Sequence, residues 1–101
     1  MNDITIEELK ERIDNGEKLH LIDVRESYEN EEFNIGGQLI PLGSIPSSLA
    51  ELDSLKDEEL ILYCRSGARS GNAKMFLTNN GYTKVRNLIG GMIVWRNTFK
   101  I

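Results

Sequence analysis

Cys64 is the residue whose chemistry the sequence singles out. It follows the apolar run Leu60-Ile61-Leu62-Tyr63 and precedes the small and cationic residues Arg65-Ser66-Gly67-Ala68-Arg69-Ser70. A helix is predicted to begin in that second segment, and a helix N-terminus presents unpaired N–H groups and a partial positive charge. Such a terminus stabilises a neighbouring anion. We therefore predict a thiolate nucleophile whose pKa is below the value of about 8.5 for a free cysteine.

The backbone after Cys64 is suited to enclosing that sulfur. We expect the N–H groups of residues 65–69 to curl around it as an anion-binding nest. Gly67 permits a positive φ in the curl, and Ser66 and Ala68 are small enough to leave room for a substrate. The competing interpretation is a buried inert thiol, because free cysteine is among the most buried residue types.

Three side chains of the same loop have two interpretations each. Arg65 is expected at the pocket rim, where its guanidinium would bind substrate; otherwise it is a solvated surface arginine. Arg69 either contacts the oxygens of an anion or clamps the loop by pairing with a carboxylate. Ser70 either caps the following helix, which is the commoner role, or donates to the sulfur.

The other polar residues are interpreted as scaffold. Asp23 ends an apolar strand, and a buried carboxylate must accept several hydrogen bonds, so it is assigned structural support. Arg25 is expected to pair with an acid within 26–32. His20 is far from Cys64 in sequence and is not predicted to be a general base. Met92 and Trp95 are predicted to fill the core over a turn at Gly90-Gly91, which alternatively borders the pocket.

The surrounding pattern alternates helices and strands, which indicates an α/β fold with a mostly parallel sheet and helices on both faces. Ligands of such sheets lie beyond the carboxyl ends of the strands, which is where Cys64 is expected. Strands are predicted at 19–24, 38–42, 60–63 and 82–88. Helices are predicted at 6–14 (a capping box of Thr5 and Glu8), at 28–33 (capped by Ser27), along Leu49, Leu52 and Leu55, at 68–79, and after Gly90-Gly91.

Composition narrows the function classes. The 101 residues are enough for one domain, which we assign to 1–101. A net charge of −4 argues against a nucleic-acid partner, and no apolar run is long enough for a membrane. A single cysteine and no signal peptide suit a reducing compartment, so a cytoplasmic location is expected. With one cysteine and one histidine, neither a metal site nor another cofactor is predicted.

Five segments of the sequence, taken in order, resemble the single-domain rhodanese-like sulfurtransferases. They are Leu21-Ile22-Asp23-Val24-Arg25-Glu26, Ile40-Pro41-Leu42, the loop 63–70, Leu88-Ile89-Gly90-Gly91 and Trp95. The resemblance implies a three-layer fold with a five-stranded sheet, the fifth strand lying near Ile4. It also implies that Cys64 takes a sulfane sulfur from a small anionic donor such as thiosulfate, which Arg65 suits. The resulting persulfide would pass its sulfur to a thiol or protein acceptor.

One segment departs from the family pattern. Asn34 stands where the family often has histidine, and the stretch Asn34-Ile35-Gly36-Gly37 is one residue short. This leaves the path of that loop undefined.

Two other functions compete with a sulfurtransferase. A cysteine phosphatase or arsenate reductase shares the order of cysteine, loop and arginine, but the related dual-specificity phosphatases have one more residue between the two. The shorter spacing from Cys64 to Arg69 favours a single sulfur over a tetrahedral oxyanion. A persulfide carrier that serves one partner is the second alternative.

Overall fold

Four strands form the centre of the computed structural model, which describes residues 1–100. They are β1 (His20–Asp23), β2 (Gln38–Leu39), β3 (Leu60–Tyr63) and β4 (Val85–Asn87), in the order β2-β1-β3-β4. All three pairings are parallel. Ile22 of β1 lies beside Leu62 of β3, which in turn lies beside Asn87 of β4. The carboxyl ends of β1, β3 and β4 therefore meet at one edge of the sheet.

Helices α1 (Ile6–Asp14), α2 (Ser27–Glu32), α3 (Leu49–Leu52), α4 (Ala68–Asn79) and α5 (Gly91–Phe99) connect and cover these strands. α1 begins as predicted, because Thr5 Oγ1 accepts from the Glu8 N–H at 3.1 Å. The predicted cap of α2 was wrong: Ser27 is already helical. Glu26 is the N-cap and forms a reciprocal capping box with Glu29.

Two apolar cores confirm the expected layers of helix, sheet and helix. On one face, α3 and α4 pack with Ile22, Leu62 and their neighbours. On the other, α1 and α5 pack with Ile61 and Tyr63. Every residue of β3 is buried because successive side chains of a strand point to opposite faces, and here both faces are covered. β3 thus holds the residue after it, Cys64, between the two layers.

The predicted number of five strands was wrong for the described residues, which form a four-stranded sheet. Ile4 makes only an isolated parallel bridge with Leu88 beyond β4. The pairing does not extend because Thr5 already caps α1, and because the Asp3 carboxylate accepts from the Asn87 N–H at 3.0 Å in place of a strand carbonyl.

Other boundaries differ where the chain turns tightly. β2 stops at Leu39, since a 3-10 turn follows Pro41 at Leu42–Ser44. The single helix predicted along Leu49, Leu52 and Leu55 is divided into a 3-10 turn at Pro46–Ser48, α3, and a second 3-10 turn at Asp53–Leu55. None of these differences moves the end of β3.

Candidate active site

The Cys64 sulfur lies at the carboxyl end of β3, where hydrogen-bond donors of Gly67 and Ser70 converge on it. The Gly67 N–H approaches Sγ at 3.1 Å, the Ser70 N–H at 3.4 Å and the Ser70 hydroxyl at 3.3 Å. Gly67 has a φ of +105°, which turns the chain back over the sulfur. The cysteine residue is only 1% exposed. The site therefore encloses one buried sulfur atom with N–H and O–H hydrogen-bond donors.

Two opposing effects set the Cys64 pKa. Burial raises it, because a charged sulfur loses its hydration. Hydrogen bonds from Ser70, Gly67 and the Ser66 N–H lower it, because they stabilise the negative form. The hydrogen bonds outweigh burial, so the pKa of Cys64 lies below that of an ordinary cysteine. The arrangement favours a thiolate.

The first turn of α5 orients the peptide units that follow Cys64, which the sequence did not indicate. The Met92 N–H donates to the Cys64 carbonyl at 2.9 Å, and the Ile93 N–H donates to the Arg65 carbonyl at 3.0 Å. Because the C=O and N–H of a trans peptide point in opposite directions, the N–H groups of Arg65 and Ser66 face away from α5. Helix α5 therefore helps to orient the N–H groups of the nest, although its own residues bond the carbonyls on the far side of the loop.

Gly91 allows this close approach. A Cβ there would lie 2.5 Å from the Cys64 carbonyl oxygen and 2.6 Å from that of Arg65, and its φ is +58°. The pair Gly90-Gly91 thus borders the loop backbone, while Met92 and Trp95 are buried in the core beneath it.

The two loop arginines have different surroundings. Arg69 forms a bidentate ion pair with Glu29 of α2, with N–O distances of 2.8 and 2.9 Å. This pair lowers the pKa of Glu29 to about 2. Arg65 is exposed, and within residues 1–100 its guanidinium has no hydrogen bond or ion pair. Ala68, also exposed, is the first residue of α4.

A cleft of about 480 Å³ opens beside the loop, between α2 and α5. Arg65 lines this cleft. The other residues that line the cleft are both apolar and charged: Arg25, Tyr28, Glu29, Glu32, Met92, Ile93 and Arg96. The cleft thus presents the unpaired cation of Arg65, the residue that follows Cys64.

Asp23 and Arg25 form a buried pair at the end of β1. The Asp23 carboxylate accepts from the Arg25 backbone N–H at 3.0 Å, from its guanidinium at 2.9 and 2.8 Å, and from the Asn30 amide at 3.0 Å. The expectation that Arg25 pairs with an acid in 26–32 was wrong. Asp23 lies two residues away and is fully buried, and a buried carboxylate is strongly destabilising unless a cation pairs with it. Arg25 also donates to the Phe33 carbonyl at 2.6 Å.

The atypical segment at 34–37 has a defined path. The Gly36 N–H donates to Asn34 Oδ1 at 2.9 Å, and the Gly37 N–H donates to the Tyr63 hydroxyl at 3.2 Å. A Cβ at Gly37 would lie 2.7 Å from the Tyr63 ring, so glycine is needed for this contact. The segment packs on the last residue of β3 and not on the sulfur.

Other observations bear on the expected chemistry. His20 pairs with Leu60 at the opposite end of β1 and β3 from Cys64. Within residues 1–100, no group of three histidine, cysteine or acidic side chains is arranged to hold a metal ion. In the same part of the chain, no helix has the length and apolar character needed to cross a membrane.

Asn87 of β4 is a second residue near the sulfur that the sequence did not indicate. Its amide group lies between Ser70 and Gly67, accepting from the first and donating to the second. It stands 23 positions after Cys64, and only the pairing of β3 with β4 brings it to the loop.

Comparison with known proteins gives a consistent set of matches. The model of the rhodanese-like domain family matches residues 5–98. A putative sulfurtransferase, YtwF of Bacillus subtilis, is 41% identical over 101 residues, covering 99% of this chain and 95% of that protein. A sulfurtransferase of Allochromatium vinosum is 38% identical over 96 residues, covering 94% and 88% respectively.

A solved structure and a further relative extend these matches. The structure of SSP1007 from Staphylococcus saprophyticus superposes with a TM-score of 0.84 at 33% identity, covering 94% of this chain and 93% of that one. A putative sulfur carrier protein, YrkF of Bacillus subtilis, is 36% identical over 94 residues, covering 92% of this chain but 50% of that protein.

Proposed function

Because this chain belongs to the rhodanese-like domain family, we propose that it is a sulfurtransferase that carries a sulfane sulfur on Cys64. The donor is a small anion of the thiosulfate type, and the acceptor is a thiol or another thiophilic molecule. The observation that carries the proposal is the convergence of the Gly67 and Ser70 donors on one buried sulfur.

In the first step, the Cys64 thiolate attacks the outer sulfur of the donor. With thiosulfate, a bond forms between Sγ and that sulfur, the sulfur–sulfur bond of thiosulfate breaks, and sulfite leaves with the electron pair. The negative charge moves from Sγ to the outer sulfur of the persulfide. Preorganised N–H groups stabilise such charge without rearranging, and one donor of this kind is typically worth about 3 kcal/mol.

In the second step, an acceptor thiolate attacks the outer sulfur. A new sulfur–sulfur bond forms on the acceptor, the persulfide bond breaks, and Cys64 leaves as a thiolate that the same donors stabilise. Because the chain has one cysteine, no second thiol of its own can remove the sulfur. The cycle therefore needs a separate acceptor molecule.

In this proposal, Arg65 and Arg69 have different roles. Arg65, unpaired at the cleft, attracts the anionic donor. Arg69, held by Glu29, keeps the start of α4 against the loop. With Arg69 engaged in this way, Arg65 is the one unpaired cation of residues 64–70 in the described part of the chain, which favours a small donor over a phosphate ester.

Intact mass measurement after thiosulfate treatment tests the proposal. We expect one added sulfur atom, its removal by a reductant, and thiocyanate release when cyanide is the acceptor. Cys64→Ser should abolish all three, while Met75→Ala, an exposed change on α4, should alter none of them. Sulfur transfer by the Cys64→Ser variant would refute the proposal.

A persulfide carrier is the second candidate, favoured by the similarity to the putative sulfur carrier YrkF. A carrier would also gain one sulfur on Cys64, but the persulfide would persist in the presence of cyanide or small thiols. Steady turnover with these acceptors indicates an enzyme instead.

A further inference from the structure

The Ser70 hydroxyl has two acceptors and one proton. It lies 3.3 Å from Cys64 Sγ and 2.5 Å from Asn87 Oδ1. A hydroxyl group donates a single hydrogen bond, so it serves one of these acceptors at a time. Ser70 is completely buried, which excludes water as a ready substitute partner.

The orientation of the Asn87 amide follows from its second contact. Its nitrogen donates to the Gly67 carbonyl at 3.0 Å, and a carbonyl can only accept. The amide oxygen therefore faces Ser70, where it can accept the hydroxyl proton. When the hydroxyl points to Asn87, Ser70 presents a lone pair to Sγ; when it turns to Sγ, it donates to the sulfur instead.

We propose that Asn87 is a positioning residue that takes the Ser70 proton when Sγ is uncharged and releases it when Sγ is a thiolate. The idea rests on the proposed sulfur transfer, in which the charge leaves Sγ for the outer sulfur of the persulfide. The Ser70 hydroxyl turns toward Sγ in the thiolate and toward Asn87 in the persulfide. The buried Ser70 hydroxyl therefore has an acceptor in both the thiolate and the persulfide state.

Within residues 1–100, the charged groups near the Sγ, Ser70 and Asn87 contacts form ion pairs, apart from the exposed Arg65. Arg69, which interacts electrostatically with Cys64, is paired with Glu29. Lys74 is paired with Asp3, which accepts from the Asn87 N–H. None of these groups contacts the Ser70 hydroxyl in the described structure, so the neutral amide is the competitor of the sulfur for its proton.

A double-mutant cycle of Asn87→Ala and Ser70→Ala tests the proposal on the unloaded protein. The readout is the midpoint of thiolate formation, followed by ultraviolet absorbance against pH. Asn87→Ala removes the competing acceptor, so the thiolate fraction at a pH below the midpoint should rise about tenfold, the effect of about one charge-assisted hydrogen bond. In the Ser70→Ala background, Asn87→Ala should leave that fraction unchanged.

A purely structural Asn87 would give a different result. If it acted only by holding the Gly67 carbonyl, its removal would move the midpoint equally with serine or alanine at position 70. That outcome, or no effect of Asn87→Ala in either background, overturns the proposal. Asn72→Ala, an exposed change on α4, is the control for altering an asparagine.

The variant Asn87→Asp covers the case in which the alanine variant does not fold. It keeps the shape and the acceptor, so the Ser70 proton stays away from Sγ and the thiolate fraction should fall below that of the unchanged protein. A rise would overturn the proposal. The fall must be smaller with alanine at position 70, where only the added charge acts, and an equal fall there also overturns it.

Sulfur loading supplies a second, separate readout. In Asn87→Ala, the exchange between persulfide and a small thiol should favour the free enzyme about tenfold more than in the unchanged protein, since only the thiolate retains its Ser70 bond. An unchanged exchange equilibrium would overturn the persulfide half of the proposal. If the unchanged protein takes up no sulfur, the proposed function fails while the titration still decides the role of Asn87.

Discussion

Arg65 and Arg69 show how little the residue type alone says about a role. The two lie four positions apart, Arg65 in the loop and Arg69 in the first turn of α4, yet Arg69 is held by two hydrogen bonds to Glu29, and Arg65 lines the cleft. The two interpretations that the sequence left open for Arg69 differ in where a carboxylate lies. Since that carboxylate is 40 positions earlier, only the packing of α2 on the loop distinguishes them.

Replacement of Arg65 by glutamine tests its role in donor binding. We expect KM for thiosulfate to rise about tenfold, equivalent to about 1.4 kcal/mol, with kcat nearly unchanged, because an exposed cation attracts the donor equally before and during the reaction. Steady-state kinetics at low salt provide the measurement. The exposed Lys84→Gln is the control for loss of one positive charge, and an equal effect there would show that net charge alone is responsible.

At the scale of elements, α5 has a function beyond filling the core. Its first N–H groups bond the carbonyls of Cys64 and Arg65, so the helix fixes the direction of the loop peptides. The Trp95 indole and Met92 beneath them lie in the same core as Ile61 and Tyr63. Packing of α5 on the sheet thereby helps to fix the position of the Cys64 and Arg65 carbonyls.

Gly91→Ala should disturb that contact. We expect a loss of about 2 to 3 kcal/mol in the free energy of unfolding, because the new Cβ meets two backbone oxygens and φ is positive. Sulfur transfer should fall as the nest is displaced. Urea denaturation and turnover are the measurements.

Gly16→Ala is the matched control, since Gly16 also has a positive φ, +77°, but a Cβ added there would have nothing within 4 Å. That change should cost only about 1 kcal/mol, the penalty of the left-handed conformation, and leave transfer intact. Equal losses for the two variants would show that the close approach to the loop is unimportant.

For the whole molecule, the ion pair of Glu29 and Arg69 joins α2 to α4 and adds stability that depends on pH. The pKa of Glu29 is lowered from 4.5 to about 2 by Arg69. Its contribution is therefore complete above the unfolded pKa and disappears as the pH falls through about 2. Because the Arg69 side chain is 34% exposed, solvent screening reduces the contribution to about 1 kcal/mol.

Glu29→Gln isolates this contribution. The variant should be about 1 kcal/mol less stable than the unchanged protein near pH 7, and the difference should shrink steadily between pH 4.5 and 2. Denaturant unfolding at several pH values is the measurement. A difference that stays constant down to pH 2 would mean that the amide disturbs packing and not the ion pair.

The elements that could be predicted from sequence are those with a continuous local signal. β3 at 60–63 and α4 at 68–79 have the predicted bounds, because an uninterrupted apolar run and a glycine on each side of the helix mark them. β2 and the region of α3 differed, because a 3-10 turn follows Pro41 and two further 3-10 turns flank α3, a difference of helix type that the spacing of the leucines does not indicate. The edge near Ile4 was reduced to one bridge, because Thr5 already caps α1 and the Asp3 carboxylate, from a residue far apart in sequence, binds the Asn87 N–H.

By itself, the order of residues determined that Cys64 follows a buried strand and precedes a helix, because apolar runs, glycines and caps act over a few positions. Tertiary structure alone decided what surrounds the sulfur: the N–H groups of Met92 and Ile93 behind the loop, Asn87 beside Ser70, and Glu29 on Arg69. These partners come from α2, β4 and α5. Hydrogen bonds and ion pairs depend on ångström distances in space, which parallel strand pairing and helix packing create between residues far apart in the chain.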